Sequence, residues 1–453
     1  MVVAIVLVLL VVGSVLFHVL SPWYFTPIAS NWQTIDDTVH ITFWVTGIVF
    51  VVVNLFMAWC VLRYRATKTN KAEYEPENKK LEGWLIVVTS VGVAAMLAPG
   101  LVVWAKFVDV PKDAAVVEVL GKQWSWSYRF PGADGVLGTD DARFVSEKNP
   151  FGINPNDPHG QDDVLITSPE FHLPMGKPYK ALLRSIDVLH NFTVPQFRVK
   201  MDLVPGLVTH LWFTPTRAGK FDVLCEELCG VAHFTMRGKV VVEDDAAFTT
   251  WLASYPTFAQ SMKQVAGDAV AGQQGFAVCA GCHGAQGEGN PQLNAPKLAG
   301  QGDWYLKRQL QYFKTGARGA HEKDTFGKMM APMAATLADE AAIDNVVAYI
   351  KTLPDQPASP TVTKQSHAAD GSTLYQTCGV CHGAGGQGVQ ATNAPRLKGM
   401  SDWYMVTQLK NFKNGVRGAH PKDLYGQQMM WMAASLTNDA AIENVVGYIN
   451  TLK

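Results

Sequence analysis

The stretch Cys225-Glu226-Glu227-Leu228-Cys229-Gly230-Val231-Ala232-His233-Phe234-Thr235-Met236 gathers two thiols, an imidazole and a thioether within a few turns of chain. Soft sulfur donors beside imidazole favour copper, above all the copper of electron-transfer sites. Two cysteines four positions apart can both bridge a pair of copper ions, with His233 and Met236 reaching the same pair. The alternative is a disulfide, which an oxidising compartment permits. A disulfide would leave the imidazole and the thioether without a role.

The spacing Cys-x-Glu-x-Cys-x3-His-x2-Met resembles the loop that holds the binuclear copper centre, CuA, in subunit II of haem-copper oxidases. His190 stands where that family places a second imidazole, 35 residues before Cys225. The resemblance implies that both thiolates bridge the pair of ions. It also implies that one copper takes a histidine and Met236, and the other takes the remaining histidine and the backbone carbonyl of Glu227. The Glu227 carboxylate would bind Mg²⁺ shared with subunit I, because a hard oxygen donor suits Mg²⁺ and not copper.

Four of the remaining five cysteines lie in two attachment motifs for c-type haem. The motifs are Cys279-Ala280-Gly281-Cys282-His283 and Cys378-Gly379-Val380-Cys381-His382. In Cys-x-x-Cys-His the thiols bond to the haem and the histidine becomes the proximal iron ligand. A structural zinc site is the alternative for a lone copy, but two copies in matching context favour two haems. The last cysteine, Cys60, lies in an apolar run and is expected to be an inert packed thiol.

The C-terminal third is a tandem repeat with a constant offset of 99 residues, which carries Cys279 onto Cys378. Each copy resembles a small class I cytochrome c. That resemblance implies that the carbonyls of Pro296 and Pro395 accept the N–H of the proximal histidines, which would fix the orientation of each imidazole.

The repeat also narrows the choice of the distal iron ligand. Met329 and Met430 have no counterpart in the other copy, whereas the pairs Met330/Met429 and Met333/Met432 are repeated. The cytochrome c resemblance favours Met330 and Met429. His/Met ligation raises the potential of the iron and suits electron transfer. The repeated histidines His321 and His420 are the alternative distal ligands.

Hydropathy predicts three membrane spans at about 2–20, 41–62 and 84–105, each long enough to cross a bilayer. Loop 63–83 is rich in Lys and Arg, including Lys68 and Lys71, and loop 21–40 has none. The positive-inside rule therefore puts loop 63–83 in the cytoplasm and everything after about 106 outside it. The alternative for 2–20 is a signal peptide, but it lacks a basic start and a small-x-small cleavage site.

Two further residues acquire candidate roles from the oxidase resemblance. Glu82, at the cytoplasmic end of the last span, is near the place where the family has the mouth of a proton channel, although Leu81-Glu82-Gly83-Trp84 is one residue shorter than the usual pattern. Trp124, in an aromatic strand at 121–128, matches the tryptophan that receives electrons beside the copper. The other interpretations are a solvated loop charge and an aromatic stripe that packs the domain.

The predicted fold is a multidomain membrane protein with four parts. Residues 1–106 form a transmembrane helical region, and 107–245 form a cupredoxin-like Greek-key β-barrel. Two all-α cytochrome c domains follow at 268–353 and 367–453, after linkers at 244–267 and 354–368. A long Gly- and Asp-rich loop at 132–163 has no assigned role.

These features together predict the electron-entry subunit of a caa-type cytochrome c oxidase, carrying CuA and two haems c in the bacterial inner membrane with its redox domains on the periplasmic side. Expected partners are subunits I and III, membrane lipid, and cytochrome c or a bc-type complex as donor, and nucleic acid is not among them. The net charge of −1 carries little information. Oxygen would be reduced in subunit I. The order of the haems is left open, although chain order suggests that the second faces the donor. A nitric oxide reductase subunit with CuA and haem c remains the alternative, a copper chaperone is a more distant one, and a quinol oxidase subunit is disfavoured because it lacks the copper ligands.

Overall fold

The computed structural model describes residues 1–21, 26–66, 76–146, 148–263, 267–363 and 367–452. Lys68 and Lys71 of the predicted cytoplasmic loop lie outside the described residues.

Three long apolar helices open the chain: α1 (Val2–Leu20), α2 (Gln33–Arg63) and α3 (Lys79–Val108). Each is long and apolar enough to cross a membrane. Helices α2 and α3 extend beyond the predicted 41–62 and 84–105. The 30 residues of α3 make a rod of roughly 45 Å at 1.5 Å per residue, longer than a hydrocarbon core of about 30 Å. A helix of this length that crossed a bilayer would reach past the apolar layer at its ends.

The next part of the chain is a β-domain of two five-stranded sheets. The first sheet has the order β3-β2-β1-β5-β8 and the second has the order β4-β10-β9-β6-β7. The strands are β1 (Ala115–Lys122), β2 (Ser125–Phe130), β3 (Val164–Ile166), β4 (Glu170–Pro174), β5 (Tyr179–Ser185), β6 (His190–Val194), β7 (Val199–Leu203), β8 (Thr209–Phe213), β9 (Gly219–Cys225) and β10 (Arg237–Glu243). This fold agrees with the predicted cupredoxin-like domain.

Aromatic side chains from both sheets fill the core of this domain. Trp126 and Tyr128 are fully buried, and Trp126 packs edge-on against Phe192 at 5.7 Å between ring centroids. The core also contains a buried ion triad, in which Arg129 contacts Glu118 at 2.9 Å and Asp163 at 2.5 Å. Three charges out of water are stable only when they pair with one another in this way.

The stretch predicted as a linker at 244–267 is partly helical and packs against the β-domain. It contains α4 (Asp245–Ala253) and α5 (Phe258–Met262). Trp251 of α4 meets Phe130 at 5.9 Å between ring centroids. Sequence reasoning missed these helices because Gly, Pro and Ser around them favour loops, whereas burial of Trp251 and Phe258 decides the outcome.

Each cytochrome domain consists of four helices in the same order. In the first copy they are α6 (Ala269–His283), α7 (Asp303–Thr315), α8 (Thr325–Ala335) and α9 (Glu340–Thr352). In the second copy they are α10 (Ala368–His382), α11 (Asp402–Lys413), α12 (Leu424–Ala434) and α13 (Asp439–Ile449). The first and last helices cross at a glycine in each copy. A Cβ on Gly272 would lie 1.9 Å from the carbonyl oxygen of Asn345, and one on Gly371 would lie 2.0 Å from that of Asn444.

The two cytochrome domains meet through a pair of reciprocal contacts. Arg318 Nη2 of the first copy donates to Tyr404 Oη at 2.7 Å. Arg417 Nη2 of the second copy donates to Tyr305 Oη at 2.9 Å. Because the 99-residue offset relates these residues in pairs, the copies face each other with approximate two-fold symmetry.

Candidate copper centre and haem sites

Two neighbouring strands bring the predicted copper ligands together. Strand β9 ends at Cys225 and strand β6 begins at His190, and β6 pairs with β9 through Phe192 opposite Cys225. The loop after Cys225 returns to the sheet at Met236, whose carbonyl accepts the backbone N–H of Cys225 at 3.2 Å. The strand pairing therefore closes the cysteine loop beside an imidazole distant in sequence.

Six donor groups converge at this point. The two thiol sulfurs of Cys225 and Cys229 lie 3.7 Å apart, and both cysteines are free. His190 Nδ1 lies 3.9 Å from the Cys225 sulfur, and His233 Nδ1 lies 3.4 Å from the Cys229 sulfur. The remaining donors are the Met236 sulfur, 3.9 Å from that of Cys229, and the carbonyl oxygen of Glu227, 3.3 Å from that of Cys225.

This donor set fits a soft metal. His190, Cys225 and Cys229 have ligand atoms within 4.8 Å of one another and are all buried, and Met236 is 1 % exposed. Thiolate and thioether sulfur with imidazole nitrogen is a donor set for copper or another soft ion, and does not suit Mg²⁺ or Ca²⁺. With both thiols free, the alternative of a disulfide has no support in this geometry.

Asp187 determines the orientation of the His190 ring. Its Oδ1 lies 2.8 Å from His190 Nε2, so a proton on Nε2 is donated to the carboxylate and Nδ1 faces the sulfurs. Burial tends to lower the pKa of His190, but the bonds to Asp187 and Cys225 outweigh it and leave the pKa raised. A carboxylate behind a metal-binding imidazole fixes its tautomer and increases its basicity.

The hydrogen bond between the two thiols shifts their pKa values in opposite directions. This bond, the largest effect, lowers the pKa of Cys225, and burial opposes it. The same bond raises the pKa of Cys229. A thiolate is the form of cysteine that ligates metals, so Cys225 is ready to bind and Cys229 must lose its proton.

Two residues of the aromatic strand hold the cysteine loop from outside. Gln123 Nε2 and Trp124 Nε1 both donate to the carbonyl oxygen of Cys229, at 2.7 and 3.1 Å. A Cβ on Gly230 would lie 2.9 Å from the Trp124 ring. The indole of Trp124 therefore lies directly against the loop that carries the copper ligands.

In both cytochrome domains the attachment motif ends the first helix and presents its histidine inward. His283 and His382 are buried, and Nδ1 of each lies 2.7 Å from a carbonyl oxygen, of Pro296 and Pro395 respectively. Burial lowers the pKa of both histidines although these bonds oppose it. Each ring is therefore a neutral imidazole with Nε2 free for a metal.

A cavity of about 400 Å³ lies next to the histidine of the second copy, lined mainly by that copy and in part by helix α7 of the first. The walls include the attachment cysteines, His382 and both repeated methionines, Met429 and Met432. Arg417 also lines the cavity, and its buried Nε has no hydrogen-bond partner among the described residues. An apolar cavity with two thiols, an imidazole, a thioether and an unused cationic donor fits a haem with its two carboxylates. The cavity contains both methionines, so the choice of Met330 and Met429 as distal ligands stays a prediction.

The other predicted residues lie apart from these donors. Glu82 lies in the first turn of α3 and is exposed. The Glu227 side chain is partly exposed at the copper loop. His172 has Nδ1 2.7 Å from a Glu243 oxygen and stacks on Trp251, which gives this imidazole a structural role.

Sequence reasoning missed the contact partners of two predicted residues. Asp187 was not singled out, although a carboxylate three positions before a metal-binding histidine is a recognisable signal. Gln428 Nε2 donates to the carbonyl oxygen of Trp124 at 2.7 Å and joins the second cytochrome domain to the β-domain. Nothing in the sequence pairs these two residues. Chain order suggested that the second haem faces the donor, yet the second copy lies against the candidate copper loop.

Comparisons with known proteins agree with this division of the chain. Residues 115–244 match the family "Cytochrome C oxidase subunit II, periplasmic domain". Residues 269–354 and 368–453 each match the family "Cytochrome c".

Individual relatives cover the two parts of the chain separately. An alternative cytochrome c oxidase subunit 2 of Bradyrhizobium diazoefficiens is 61% identical over 259 residues, which is 57% of this chain and 94% of that protein. Cytochrome c4 of Pseudomonas aeruginosa is 33% identical over 196 residues, 41% of this chain and 90% of that protein. The crystal structure of cytochrome c4 from Pseudomonas stutzeri is 31% identical, covers 42% of this chain and all of its own, and has a TM-score of 0.35.

A 61% identity over nearly the whole of the Bradyrhizobium protein is decisive for the family, and the two cytochrome c matches cover most of the chain after residue 268. The chain belongs to the cytochrome c oxidase subunit 2 family, and two cytochrome c domains follow the region that matches the subunit II periplasmic domain.

Proposed function

We propose that this subunit relays electrons from a cytochrome c donor through two c-type haems to a binuclear CuA centre, and on to the catalytic subunit that reduces dioxygen. The observation that carries the proposal is the convergence of two free thiols, two imidazoles, a thioether and a carbonyl oxygen at the end of β9. CuA, when bound, accepts and passes single electrons.

The residues around the copper ligands would restrict their movement. Asp187 accepts from His190 and also from the backbone N–H of Gln123 at 2.6 Å, so one carboxylate ties the imidazole to the aromatic strand. Gln123 and Trp124 then hold the loop through the carbonyl oxygen of Cys229. Ligands that move little on a change of charge favour fast electron transfer, because little reorganisation is needed.

In each cytochrome domain the two cysteines of the attachment motif would hold a haem through thioether bonds. His283 and His382 would bind its iron, and we propose Met330 and Met429 as the distal ligands. The haem, when bound, supplies a one-electron iron couple whose potential a methionine ligand raises. Arg417 and its repeat partner Arg318 each keep a buried Nε without a partner among the described residues, suited to a haem carboxylate.

Three assignments extend the proposal to the neighbouring subunits. Trp124 is the electron entry to the copper. The Glu227 carboxylate binds Mg²⁺ shared with subunit I, and Glu82 lies at a proton entrance. With three apolar helices and a match to a periplasmic domain, we propose a multi-pass protein of the bacterial plasma membrane, assembled with subunits I and III.

The test is gas consumption by the intact complex isolated from its membrane, with reduced cytochrome c as donor and dioxygen or nitric oxide as acceptor. We expect rapid dioxygen uptake and negligible loss of nitric oxide. Cys225→Ser should abolish the uptake and the electron paramagnetic resonance signal of mixed-valence copper. Cys60→Ser, which changes a thiol in α2 far along the chain, is the matched control and should change neither.

Two outcomes would contradict the proposal. Loss of nitric oxide with little dioxygen uptake would make the complex a nitric oxide reductase. Full oxidase activity in Cys225→Ser would remove the copper centre from the electron path.

A further inference from the structure

The second cytochrome domain is docked on the copper domain through one face of α12. Gln428 bonds to the carbonyl oxygen of Trp124 at 2.7 Å, and Tyr425 Oη donates to the carbonyl oxygen of Thr167 at 2.8 Å. The guanidinium of Arg237 lies over the ring of Trp431 at 5.7 Å from its centroid. We name the side chains of Tyr425, Gln428, Trp431 and Met432 the inner face.

The inner face lies next to both redox sites. Met432 and the haem-attachment residue Cys381 pack against the core of the copper domain. Helix α12 also lies against the turn His233–Thr235, which carries a candidate copper ligand. The same helix carries Met429, the candidate distal ligand. The second copy is therefore placed to pass electrons to Trp124 and the copper loop.

The 99-residue offset locates the same face on the first copy. Tyr425, Gln428, Trp431 and Met432 correspond to Phe326, Met329, Pro332 and Met333. We name these four the outer face. Phe326 is 43% exposed and Met329 is 61% exposed. Cys282, which corresponds to Cys381, is exposed as well.

The substitutions between the two faces follow a chemical pattern. Two positions that donate hydrogen bonds to the copper domain in the second copy, Tyr425 and Gln428, carry Phe326 and Met329 in the first. An exposed apolar patch on a soluble domain marks an interaction surface. A flexible methionine adapts to more than one partner surface. The inner face is docked on the copper domain and makes directed hydrogen bonds to it. The outer face is apolar, which suits a brief contact with a partner.

We propose that electrons enter this subunit at the outer face of the first cytochrome domain, where a reduced cytochrome c docks, and leave through the inner face of the second. The proposal rests on the proposed relay and gives it a direction. One electron leaves the ferrous haem of the donor and reduces the ferric haem of the first copy, with no proton or bond exchanged. The next two transfers carry that electron to the haem of the second copy and then to copper.

The test uses the intact complex with Met329→Lys and, separately, Phe326→Lys. Two rates are measured: anaerobic reduction of the haems by reduced cytochrome c in a stopped-flow instrument, and dioxygen uptake with a small-molecule reductant that needs no docking surface. We expect each lysine to lower the second-order rate of haem reduction by about tenfold or more, as for a central residue of a docking site. It should raise KM for cytochrome c by a similar factor, and leave uptake with the small reductant unchanged.

Val270→Lys is the matched control. Val270 is 76% exposed, belongs to the same domain, and lies near the start of α6. Its helix is roughly 20 Å long at 1.5 Å per residue, which separates it from the attachment motif at the other end. This variant should keep the wild-type values of both rates.

Three results would overturn the docking proposal. Unchanged haem reduction in both lysine variants would remove the outer face from donor binding. An altered oligomeric state by sedimentation would make a second copy of the subunit its occupant. Loss of subunit I from the purified lysine variants would make that subunit the occupant. Failure of the relay itself gives a different pattern, in which wild-type haems are reduced normally but the small reductant supports no dioxygen uptake.

Discussion

The two cytochrome domains share an interior and differ on their surfaces. Each ends its first helix with Cys-x-x-Cys-His, and each proximal histidine lies 2.7 Å from a proline carbonyl. Their α8 and α12 faces differ, with Met329 exposed in one copy and Gln428 bonded to Trp124 in the other. The proposed haem site accounts for the shared interior. We infer that the difference between the two faces reflects the surface that each one meets, and the predictions below test that inference.

The largest effect is expected from the distal methionines, which both copies need equally. Met330→Leu and Met429→Leu should each remove the thioether from one iron and lower that haem's potential. The fall should exceed about 59 mV, the step that changes a one-electron equilibrium tenfold. Redox titration of the haem absorption in the intact complex measures the two potentials.

Met333→Leu and Met432→Leu are the matched controls, since the same repeat carries them at equivalent positions. They should shift the potentials far less, because a methionine beside the haem that does not bind its iron changes the potential little. If the control pair lowers the potentials and the first pair does not, the distal assignment belongs to Met333 and Met432.

The repeat made the interior of the two cytochrome domains predictable, and the cysteine loop with His190 predicted a cluster of donor groups that the structure brings together. The interior was accessible because it depends on covalent motifs and on contacts within one domain. The bond between Gln428 and Trp124 joins residues about 300 positions apart, and no local pattern encodes such a contact. Chain order therefore suggested the wrong neighbour for the second haem domain. Helices α4 and α5 were missed for a similar reason, since tertiary burial stabilises them.

Replacing one residue of the inner face with its counterpart from the outer face tests whether the polar bond is what docks the second copy. Gln428→Met gives the inner face the residue of the outer face and removes the bond to Trp124. A neutral hydrogen bond of this kind contributes about 1 kcal/mol, which corresponds to roughly a fivefold change in the docking equilibrium constant. Electron transfer from the haems to copper should slow by no more than that factor. Flash-induced reduction followed at the haem and copper absorption bands measures the rate.

Gln427→Ala is the control for this exchange. Gln427 is the neighbour of Gln428 on α12. Its Nε2 makes a longer contact, 3.4 Å from the carbonyl oxygen of His420 within the same domain. The control should transfer electrons at the wild-type rate. Equal rates in Gln428→Met and the wild type would show that docking does not depend on this bond.

The contact between the copies should behave symmetrically, in contrast to their outer surfaces. Tyr305→Phe and Tyr404→Phe each remove the hydroxyl that accepts from an arginine of the other copy. Each should lower the free energy of unfolding of the cytochrome domains by about 1.5 kcal/mol, as expected for a bond to a charged donor. Urea unfolding followed by haem absorption measures both. A loss confined to one variant would show that the reciprocal contacts are unequal.

The smallest effect is expected from Asp355, whose carboxylate contacts equivalent residues of both copies. Asp355 contacts Lys297 of the first copy at 2.7 Å and Arg396 of the second at 2.6 Å, and the repeat relates these two residues. Burial raises the pKa of Asp355, but the two cations outweigh it and leave the pKa below the ordinary value of 3.8.

A carboxyl with a lowered pKa stabilises the folded form fully above its unfolded pKa, and that stabilisation is lost as the pH falls through the folded value. We therefore expect the free energy of unfolding to be insensitive to Asp355 ionisation near neutral pH and to fall below about pH 4. The loss should be no more than about 1 kcal/mol, because the side chain is partly exposed and exposed ion pairs contribute little. Asp355→Asn should reduce this fall in the free energy of unfolding at low pH. Asp370 is an exposed carboxylate on α10, and Asp370→Asn should leave the fall unchanged. Urea unfolding at pH 7 and pH 3 measures the difference. If Asp355→Asn still loses stability at low pH, the loss belongs to other carboxylates of the interface between the copies.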